Sequence, residues 1–467
     1  MPLRVSFHTL GCKLNQLESD ALVDAFSAAG AAIVPARAAD GAGIDLLVLN
    51  TCTVTGKAEQ KARHVVRATL GAHPDAVVLI TGCYAQLDAE GLGGLHERAV
   101  VVPGDDKDSL LGLASWLAEF WQGHGDLFEA VREWQTEAAL SPARASGSDR
   151  FAFNPASFTF HSRPALKVED GCDNRCTYCR VCLARGAARS LPTAQVLARA
   201  RALEEAGRAE IVLTGVNLSQ YRDGDRGFPG LVAALLKETR SVAFRVSSYE
   251  PDRIDGEFLS VFAHERVRPH VHLAIQSGSD PILARMGRGY RRDRVLASVE
   301  ALRRVRGDPF LAADIIAGFP GETDESFVET LDLCRRAGFA WIHAFPYSPR
   351  PGTRAAALRP RVPERVAGER VAALGALARA GRAAYAARWL GTELEAVLEG
   401  AGAGACDDDV AAIRHGTSAN YLKLGIEGVP PELGSGTAVR CRLSEPLIGH
   451  EGGLDAAAVY VGRPPKA

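Results

Sequence analysis

The sequence predicts an α/β protein of three parts: an N-terminal doubly wound parallel sheet, a central partial (β/α)6 barrel and a small C-terminal β-barrel. Three observations predict this arrangement. Apolar runs alternate with helical patterns at the start of the chain, six further strand-like runs are separated by helical patterns, and short strand-like runs follow them. The expected boundaries are residues 1–148, 149–388 and 389–467.

The composition is that of an ordinary globular chain. It has 467 residues, a net charge of −2 and 47% hydrophobic residues, and no apolar run approaches the length of a membrane span. The N-terminus lacks the apolar core of a signal peptide, so we expect a cytoplasmic protein with no membrane partner. Its ten cysteines are then expected to be reduced thiols or metal ligands rather than disulfides.

The first three predicted strands each lead to a turn with a cysteine. They are residues 4–7 before Cys12, 46–49 before Cys52 and 76–80 before Cys83, with helices predicted at 16–29 and 55–70. If the strands are parallel, all three cysteine loops lie along one edge of the sheet. One such cysteine is more often a packing residue, but the threefold repetition favours a site with three thiolate ligands.

The N-terminal part is predicted to end near Ser148. Residues 141–148 are small and polar, as in a linker. Six strand-like runs then alternate with helical patterns, which indicates a parallel sheet. The runs are residues 165–168, 210–213, 243–247, 271–276, 311–316 and 341–346. Six units suit a partial barrel, short of the eight in a complete TIM barrel.

Three cysteines follow the first strand of this predicted barrel in a C-x3-C-x2-C spacing. Cys172, Cys176 and Cys179 are close enough to bind one metal centre together, and soft sulfur ligands favour an iron–sulfur cluster or zinc. Three thiolates on a 4Fe–4S cluster leave one iron free for another ligand. A closed zinc site would need a fourth ligand, which Cys182 could supply. The favoured interpretation of Cys182 is a small buried thiol.

Polar or glycine-rich loops follow the other predicted barrel strands. Each alone is more simply a turn, but their placement at successive strand ends favours a ligand-binding edge, where glycine allows a close approach. The segments are 214–218, 247–251, 276–279, 314–322 and 343–353.

Two features distinguish the C-terminal third. Residues 350–388 are rich in arginine, with Glu364 and Glu369 as the only acids. The segment is either a phosphate-binding surface or a solvated helix face. After Gly391, strand-like runs recur at 393–398, 419–425, 436–443 and 457–461, which indicates a small β-barrel.

These motifs resemble those of known families. The central cysteine motif, with Tyr178 before its last cysteine, resembles the signature of the radical S-adenosylmethionine (SAM) superfamily. The segments around Cys12, Cys52 and Cys83 resemble the three cysteine boxes of the methylthiotransferases. The first box, with Lys13, Asn15 and Gln16, most resembles that of the branch that modifies N6-threonylcarbamoyladenosine in tRNA. The C-terminal barrel resembles the RNA-binding TRAM domain. Cys182 and Leu183 depart from the Pro and Tyr usual in relatives.

The resemblance implies two 4Fe–4S clusters and SAM as cofactors. It implies that Cys172, Cys176 and Cys179 hold the SAM-binding cluster, that Cys12, Cys52 and Cys83 hold an auxiliary cluster, and that all six are catalytic. The residues expected to bind the SAM cofactor are Tyr178, Thr214, Gly215, Asn217, Ser247, Gln276, Asp314 and Gly318.

The implied reaction replaces a C–H bond at carbon 2 of the adenine by C–SCH3, through a radical. The expected partners are tRNA, an external electron donor and a sulfur source. Two alternatives are methylthiotransferases for isopentenylated adenosine in tRNA or for an aspartate of a ribosomal protein. An alternative of another class is a non-catalytic iron–sulfur or zinc RNA-binding protein.

Overall fold

The computed structural model describes residues 2–35, 43–140, 148–156, 162–400, 413–447 and 453–464. The predicted linker at 141–147 lies outside these ranges. Among the helices that are described, none combines the length and the apolar character needed to cross a bilayer.

The N-terminal part is a five-stranded parallel sheet in the order β2-β1-β3-β4-β5. Its strands are β1 (Arg4–Thr9), β2 (Ala32–Ile33), β3 (Leu46–Thr51), β4 (Val77–Gly82) and β5 (Ala99–Val101). The central strands β3 and β4 are buried along their whole length, which explains their continuous apolar sequence. The predicted parallel sheet is confirmed, while the short strands β2 and β5 were not predicted.

Helices cover both faces of this sheet, as in a doubly wound fold. Phe26 and Val131 belong to the apolar core on one face, and Val66 belongs to that on the other. The Thr55 side chain accepts a hydrogen bond from the Ala58 N–H and so caps the helix that covers the second face. The α-helices are Lys13–Ala28, Gly56–Ala72, Cys83–Leu87, Ala89–Gly93, Leu110–Trp116 and Leu127–Leu140.

The central part is an incomplete barrel of parallel strands, as predicted. Its strands run in the order β6-β9-β12 and continue through Ser247 into β13-β14-β15-β16. They are β6 (Ala165–Lys167), β9 (Glu210–Thr214), β12 (Ala243–Val246), β13 (Ser248–Tyr249), β14 (His270–Gln276), β15 (Phe310–Ala317) and β16 (Trp341–Pro346). Two small hairpin-like pairs accompany them: β7 (Glu169–Asp170) with β8 (Arg189–Ser190), and β10 (Arg222–Asp223) with β11 (Arg226–Gly227).

Helices pack on the outside of this barrel. Leu273, Ile275 and Ile315 point outward and form one core with helix residues such as Leu302 and Leu333. Because strand side chains alternate, their neighbours along β14–β16 face the lumen. The α-helices are Val181–Arg185, Thr193–Glu205, Phe228–Glu238, Gly256–Phe262, Asp280–Met286, Arg292–Arg306 and Asp324–Ala337.

A long helix, Glu364–Ala387, leads to a closed five-stranded barrel in the order β17-β18-β19-β21-β20. Phe310, at the start of β15, belongs to the same apolar cluster as Leu424 of this barrel. The small barrel therefore covers the N-terminal ends of the central strands. Its strands are β17 (Glu393–Leu398), β18 (Arg414–Ser418), β19 (Lys423–Glu427), β20 (Ala438–Pro446) and β21 (Ala456–Gly462). The predicted barrel is confirmed, but β18 was missed.

Candidate active site

The N-terminal sheet brings three distant cysteines to one edge. Cys12, Cys52 and Cys83 follow β1, β3 and β4, which are neighbouring parallel strands. The thiols are close enough for each to affect the ionisation of another. Cys12 is exposed at this edge, Cys83 is half-buried and Cys52 is buried.

The backbone around these thiols is tightly packed. A Cβ on Gly11, whose φ is +106°, would lie 2.6 Å from Cys52 Cβ and 2.8 Å from Cys52 Sγ. Only glycine suits both that backbone conformation and that space. The Asn15 amide donates to the carbonyl oxygens of Leu10 at 2.8 Å and Thr51 at 2.9 Å, and so joins the first two cysteine loops.

These thiols are adjacent to hydrogen-bond donors and a positive charge. Burial raises the pKa of Cys52 to about 12, although the Val54 N–H donates to its sulfur at 3.4 Å. The Arg185 guanidinium donates from Nε to Cys83 Sγ at 3.3 Å. Buried thiols with raised pKa values stay protonated unless a metal centre replaces their protons.

The central cysteines line a cavity of about 380 Å³ at the carboxyl end of β6. Burial raises the pKa of Cys172 to about 11 and that of Cys179 to about 12. Arg288 donates from Nη1 to Cys176 Sγ at 3.3 Å, and the Val181 N–H donates to Cys179 Sγ at 3.4 Å. Such donors stabilise metal-bound thiolates and tune the reduction potential of a cluster.

Each cysteine set offers three sulfur donors, which suit an iron–sulfur cluster. Within the described ranges, no three His, Cys, Asp or Glu side chains are close enough to ligate one metal ion. The cysteine ligands of a 4Fe–4S cluster bind different irons, so they lie farther apart than the ligands of a zinc ion. Cys182 lines the same cavity, and its thiol approaches the Cys179 carbonyl oxygen at 3.9 Å as a weak donor.

Of the residues predicted to bind SAM, Asn217 lies against the first central cysteine, and Thr214 and Gly215 precede it at the end of β9. Asn217 Nδ2 is 3.8 Å from Cys172 Sγ, and the Asn217 N–H donates to Glu169 Oε2 at 2.7 Å. A Cβ on Gly215 would lie 2.6 Å from the same Glu169 oxygen. Thr214 is buried at the end of β9, where its carbonyl accepts from the Val168 N–H at 3.0 Å.

The other predicted SAM residues occupy neighbouring strand ends. Tyr178 packs edge-on against Phe319 with ring centroids 6.5 Å apart. The Ser247 N–H donates to the Leu213 carbonyl at 3.2 Å. Gln276 ends β14 with a φ of +72°. They are thus distributed around the same edge as the cysteines.

Asp314 and Gly318 have partners within the protein. Asp314 Oδ1 lies 2.9 Å from His272 Nε2 inside the lumen. The Gly318 N–H donates to Glu322 Oε2 at 2.5 Å, and a Cβ on Gly318 would lie 2.5 Å from the Ala367 Cβ. Contact with the long helix therefore explains this glycine, and its role in SAM binding stays a prediction.

A buried ion pair supports the central cavity and was not predicted from the sequence. Arg288, which contacts Cys176, pairs with Glu250 and donates to the Ala274 carbonyl oxygen at 2.7 Å. Burial raises the pKa of Glu250 to about 6. The position of Glu250 after the third strand could have indicated it. Arg288 follows a helix, Asp280–Met286, that the sequence pattern did not predict.

A second unpredicted network joins the N-terminal sheet to the central barrel beside Cys83. Glu18 is 2% exposed and pairs with Lys107 at 2.6 Å, Lys167 at 3.1 Å and Arg185 at 3.1 Å. Arg185 also pairs with Asp170 at 3.0 Å. This network attaches the edge of the N-terminal sheet, where Cys83 lies, to β6, the barrel strand that precedes Cys172.

Part of the arginine-rich segment is engaged inside the protein, while Arg354, Arg359, Arg361, Arg365, Arg379 and Arg388 are exposed. Arg350 is buried and pairs with Glu59, which also pairs with Arg180 at 3.0 Å. This contact is a further link between the N-terminal sheet and the barrel. Arg370, Arg382 and Arg388 pair with the acidic residues Glu322, Asp455 and Asp308.

The inward-facing side of β14–β16 is polar. His272 and His343 stack at 5.1 Å between ring centroids, and the Trp341 indole donates to His343 Nδ1 at 3.2 Å. Lys13, which follows Cys12, is within electrostatic range of His343 and of Tyr421 in the small barrel. A substrate group that enters this lumen therefore meets aromatic rings and positive charge.

Comparisons with known proteins agree with the two cysteine sites. Residues 166–334 match the model of the radical SAM superfamily, and residues 4–104 match the uncharacterized protein family UPF0004. The chain is 40% identical to the threonylcarbamoyladenosine tRNA methylthiotransferase MtaB of Treponema pallidum, over 93% of this chain and 98% of that protein. It is 33% identical to the tRNA-2-methylthio-N(6)-dimethylallyladenosine synthase of Cereibacter sphaeroides, over 84% of this chain and 87% of that protein.

A solved structure of a more distant protein is also similar. It is the radical SAM methyltransferase TsrM of Kitasatospora setae with cobalamin and a [4Fe-4S] cluster bound. The match has a TM-score of 0.48 and 16% identity, over 74% of this chain and 75% of that one. The full-length sequence relatives, together with the two cysteine sites, show that the chain belongs to the radical SAM methylthiotransferase family.

Proposed function

We propose that this enzyme transfers a methylthio group to carbon 2 of N6-threonylcarbamoyladenosine, next to the anticodon of tRNA. The observation that carries the proposal is the presence of two separate three-cysteine sites at the ends of adjoining parallel sheets. One site suits radical generation and the other suits sulfur delivery. The substrate follows the name of the relative that is 40% identical over nearly its whole length.

Each part of the chain has a task in this proposal. Residues 1–148 hold the auxiliary cluster on Cys12, Cys52 and Cys83, and residues 149–388 hold the SAM-binding cluster on Cys172, Cys176 and Cys179. When bound, the clusters and SAM supply the radical and sulfur chemistry. The protein holds these groups in position and excludes water, and residues such as Asn217 and Gly215 shape the SAM pocket beside Cys172.

The remaining partners follow from the same reaction. An external electron donor reduces the central site, and a sulfur source replenishes the N-terminal one. We expect the TRAM-like barrel, residues 389–467, to contact tRNA, because it resembles an RNA-binding domain and packs against the central barrel. The reaction takes place in the cytoplasm, where tRNA is found and thiols stay reduced.

The test is an anaerobic assay with purified tRNA. The protein is reconstituted with iron and sulfide, then supplied with SAM, a reductant and tRNA that carries either N6-threonylcarbamoyladenosine or N6-isopentenyladenosine. Nucleosides and 5′-deoxyadenosine are measured by mass spectrometry. We expect methylthiolation of the threonylcarbamoyl form; exclusive use of the isopentenyl form would overturn the proposed substrate.

Two variants test which thiols of the central cavity are cluster ligands. Cys176→Ala is expected to abolish 5′-deoxyadenosine formation, because two thiolates do not hold a cluster reliably. Cys182→Ala, in the same cavity, is expected to retain the iron of both clusters and the activity. Loss of about half the iron in Cys182→Ala would show that Cys182 is a ligand.

A further inference from the structure

Four exposed arginines lie beside the cavity that the central cysteines line. Arg175 and Arg354 belong to the lining of this cavity, together with the cysteines of the central motif. Arg359 and Arg361 follow shortly after Arg354 in the chain, and all four side chains are exposed. We call these four residues the arginine rim.

Hydrogen bonds join the two chain segments that carry the rim. The Arg354 Nη2 atom donates to the Arg175 carbonyl oxygen at 2.7 Å. In the next residue, the Ala355 N–H donates to the Thr177 carbonyl oxygen at 2.8 Å. The cysteine motif and the segment after β16 therefore form one continuous surface at the carboxyl end of the barrel.

The other two arginines are anchored to the backbone of the same segment. Arg361 Nη2 donates to the Ala356 carbonyl oxygen at 2.9 Å, and Arg359 Nη1 donates to the Leu358 carbonyl oxygen at 2.9 Å. A neutral carbonyl orders a guanidinium without cancelling its charge. Each guanidinium also has five N–H donors, so most of them stay available to a ligand.

Within the described ranges, none of the four rim arginines pairs with a carboxylate. In the same arginine-rich segment, Arg370 and Arg382 are buried or half-buried and do have acidic partners. The cavity lining includes one acid, Asp173, and its Oδ1 accepts from the Ala188 N–H at 3.3 Å. The surface is therefore strongly positive although the whole chain has a net charge of −2.

Arginines without acidic partners suit a phosphate ligand, because the guanidinium fork matches two phosphate oxygens. Besides Leu183, the residues that line the cavity are small, polar or charged, whereas the centre of a protein interface is typically apolar. In the proposed reaction, an adenine must reach the barrel edge where the cysteines lie. The phosphates on either side of that nucleotide must then pass close to the mouth of this cavity.

We propose that the arginine rim binds backbone phosphates of the anticodon stem–loop and so holds tRNA over the central cavity. This inference rests on the proposed function and adds a phosphate-binding surface on the central barrel to the contact expected of the small barrel. Phosphate contacts fix the position of a nucleic acid without reading its bases. The rim therefore positions the adenine, and other residues select it.

The test measures the affinity of the reconstituted protein for an anticodon stem–loop at several salt concentrations under anaerobic conditions. The base next to the anticodon is either N6-threonylcarbamoyladenosine or unmodified adenosine. The variant is Arg359→Gln/Arg361→Gln, because these two arginines do not line the cysteine cavity. The matched control, Arg304→Gln/Arg335→Gln, removes two exposed arginines from helices on the outside of the barrel. Iron content and melting temperature are measured for each protein.

We expect Arg359→Gln/Arg361→Gln to bind both stem–loops about tenfold less tightly, by the same factor for each, with a raised KM for tRNA. The slope of log K against log salt is expected to fall in magnitude by about 0.7–0.9 for each lost phosphate contact. The control is expected to match the wild type. A wild-type slope smaller in magnitude than about 2.8 is too small for four such contacts and would overturn the inference, even if the variant fails to fold.

Other outcomes distinguish the possible errors. Unchanged affinity and slope in Arg359→Gln/Arg361→Gln, with normal methylthiolation by the wild type, would overturn the inference alone. Weakening of only one stem–loop would mean that the rim reads the nucleoside, which contradicts it.

An acidic electron-donor protein is the rival occupant of the rim. Unchanged tRNA affinity, with loss of 5′-deoxyadenosine formation when a flavodoxin but not dithionite is the reductant, would assign the rim to that donor and contradict the inference. If the wild type does not methylthiolate N6-threonylcarbamoyladenosine but the rim still sets the salt dependence, the proposed substrate is wrong and the phosphate contact stands.

Discussion

Arg185 Nε of the central barrel lies 3.3 Å from Cys83 Sγ at the edge of the N-terminal sheet. The same guanidinium pairs with Glu18, on the helix Lys13–Ala28 that packs on that sheet, and with Asp170 of the barrel. One side chain thus contacts a proposed cluster ligand and joins the two halves that hold the two clusters. A change in this residue is expected to affect both assembly and stability.

We predict that Arg185→Gln destabilises the protein by about 1–3 kcal/mol, because Glu18 and Asp170 lose charge-assisted hydrogen bonds from Arg185 and keep only Lys107 and Lys167 as cationic partners. We also expect less iron in the N-terminal site. Thermal unfolding and iron analysis of the reconstituted protein measure the two effects. Arg189→Gln removes an exposed arginine from the same segment and is expected to change neither. Normal stability and iron content in Arg185→Gln would show that the network is not needed.

We predict that Glu59→Gln uncouples SAM cleavage from methylthio transfer. Glu59 holds Arg180 and Arg350 of the barrel, and Arg180 follows a proposed cluster ligand. Without this carboxylate, SAM cleavage is expected to continue while the sites lose their alignment. The ratio of 5′-deoxyadenosine to methylthiolated nucleoside is expected to rise about tenfold or more, since small misplacements are costly. The exposed Glu90→Gln is the control, and an unchanged ratio in Glu59→Gln contradicts the prediction.

Acid is predicted to weaken the attachment of the small barrel through Glu210. Burial alone would raise the pKa of Glu210, but Arg245 and Arg268 outweigh it and hold the pKa at about 2. The resulting stabilisation is fully present above pH 4.5, the ordinary pKa, and is lost as the pH falls toward about 2. Arg268 also pairs with Glu395 of the small barrel.

The measurement is the melting temperature between neutral pH and the lowest pH at which the protein stays soluble. Glu210→Gln is expected to be less stable at neutral pH and to lose less stability in acid than the wild type. Glu205→Gln, which alters an exposed carboxylate nearby, is expected to follow the wild type. If the melting temperatures of Glu210→Gln and the wild type fell equally as the pH is lowered, this role of Glu210 would be contradicted.

Much of the fold could be predicted because the strands are continuous apolar runs between amphipathic helices. The runs predicted before Cys52 and Cys83 correspond to β3 and β4, and all six predicted barrel strands are present. The strand β2 was missed because it has only two residues, and β18 (Arg414–Ser418) was missed because its sequence is short and polar. Their pairing depends on neighbouring strands rather than on their own sequence.

The site was only partly predictable. The cysteines could be identified because thiols repeat at strand ends or in a close spacing. Arg185, Arg288 and Glu59 could not, since their partners are distant in the chain and a charged residue in sequence usually indicates a solvated surface.

The central claim is that the two cysteine sets have different roles, and one assay of the variant Cys12→Ala/Cys52→Ala/Cys83→Ala tests it most directly. The variant is incubated anaerobically with SAM, a reductant and tRNA bearing N6-threonylcarbamoyladenosine. Its iron content, 5′-deoxyadenosine and methylthiolated nucleoside are measured together. We predict an intact central cluster and continued 5′-deoxyadenosine formation without any methylthiolated product. Methylthiolated nucleoside at the wild-type yield, or loss of both products with the central cluster still assembled, would contradict this division of roles.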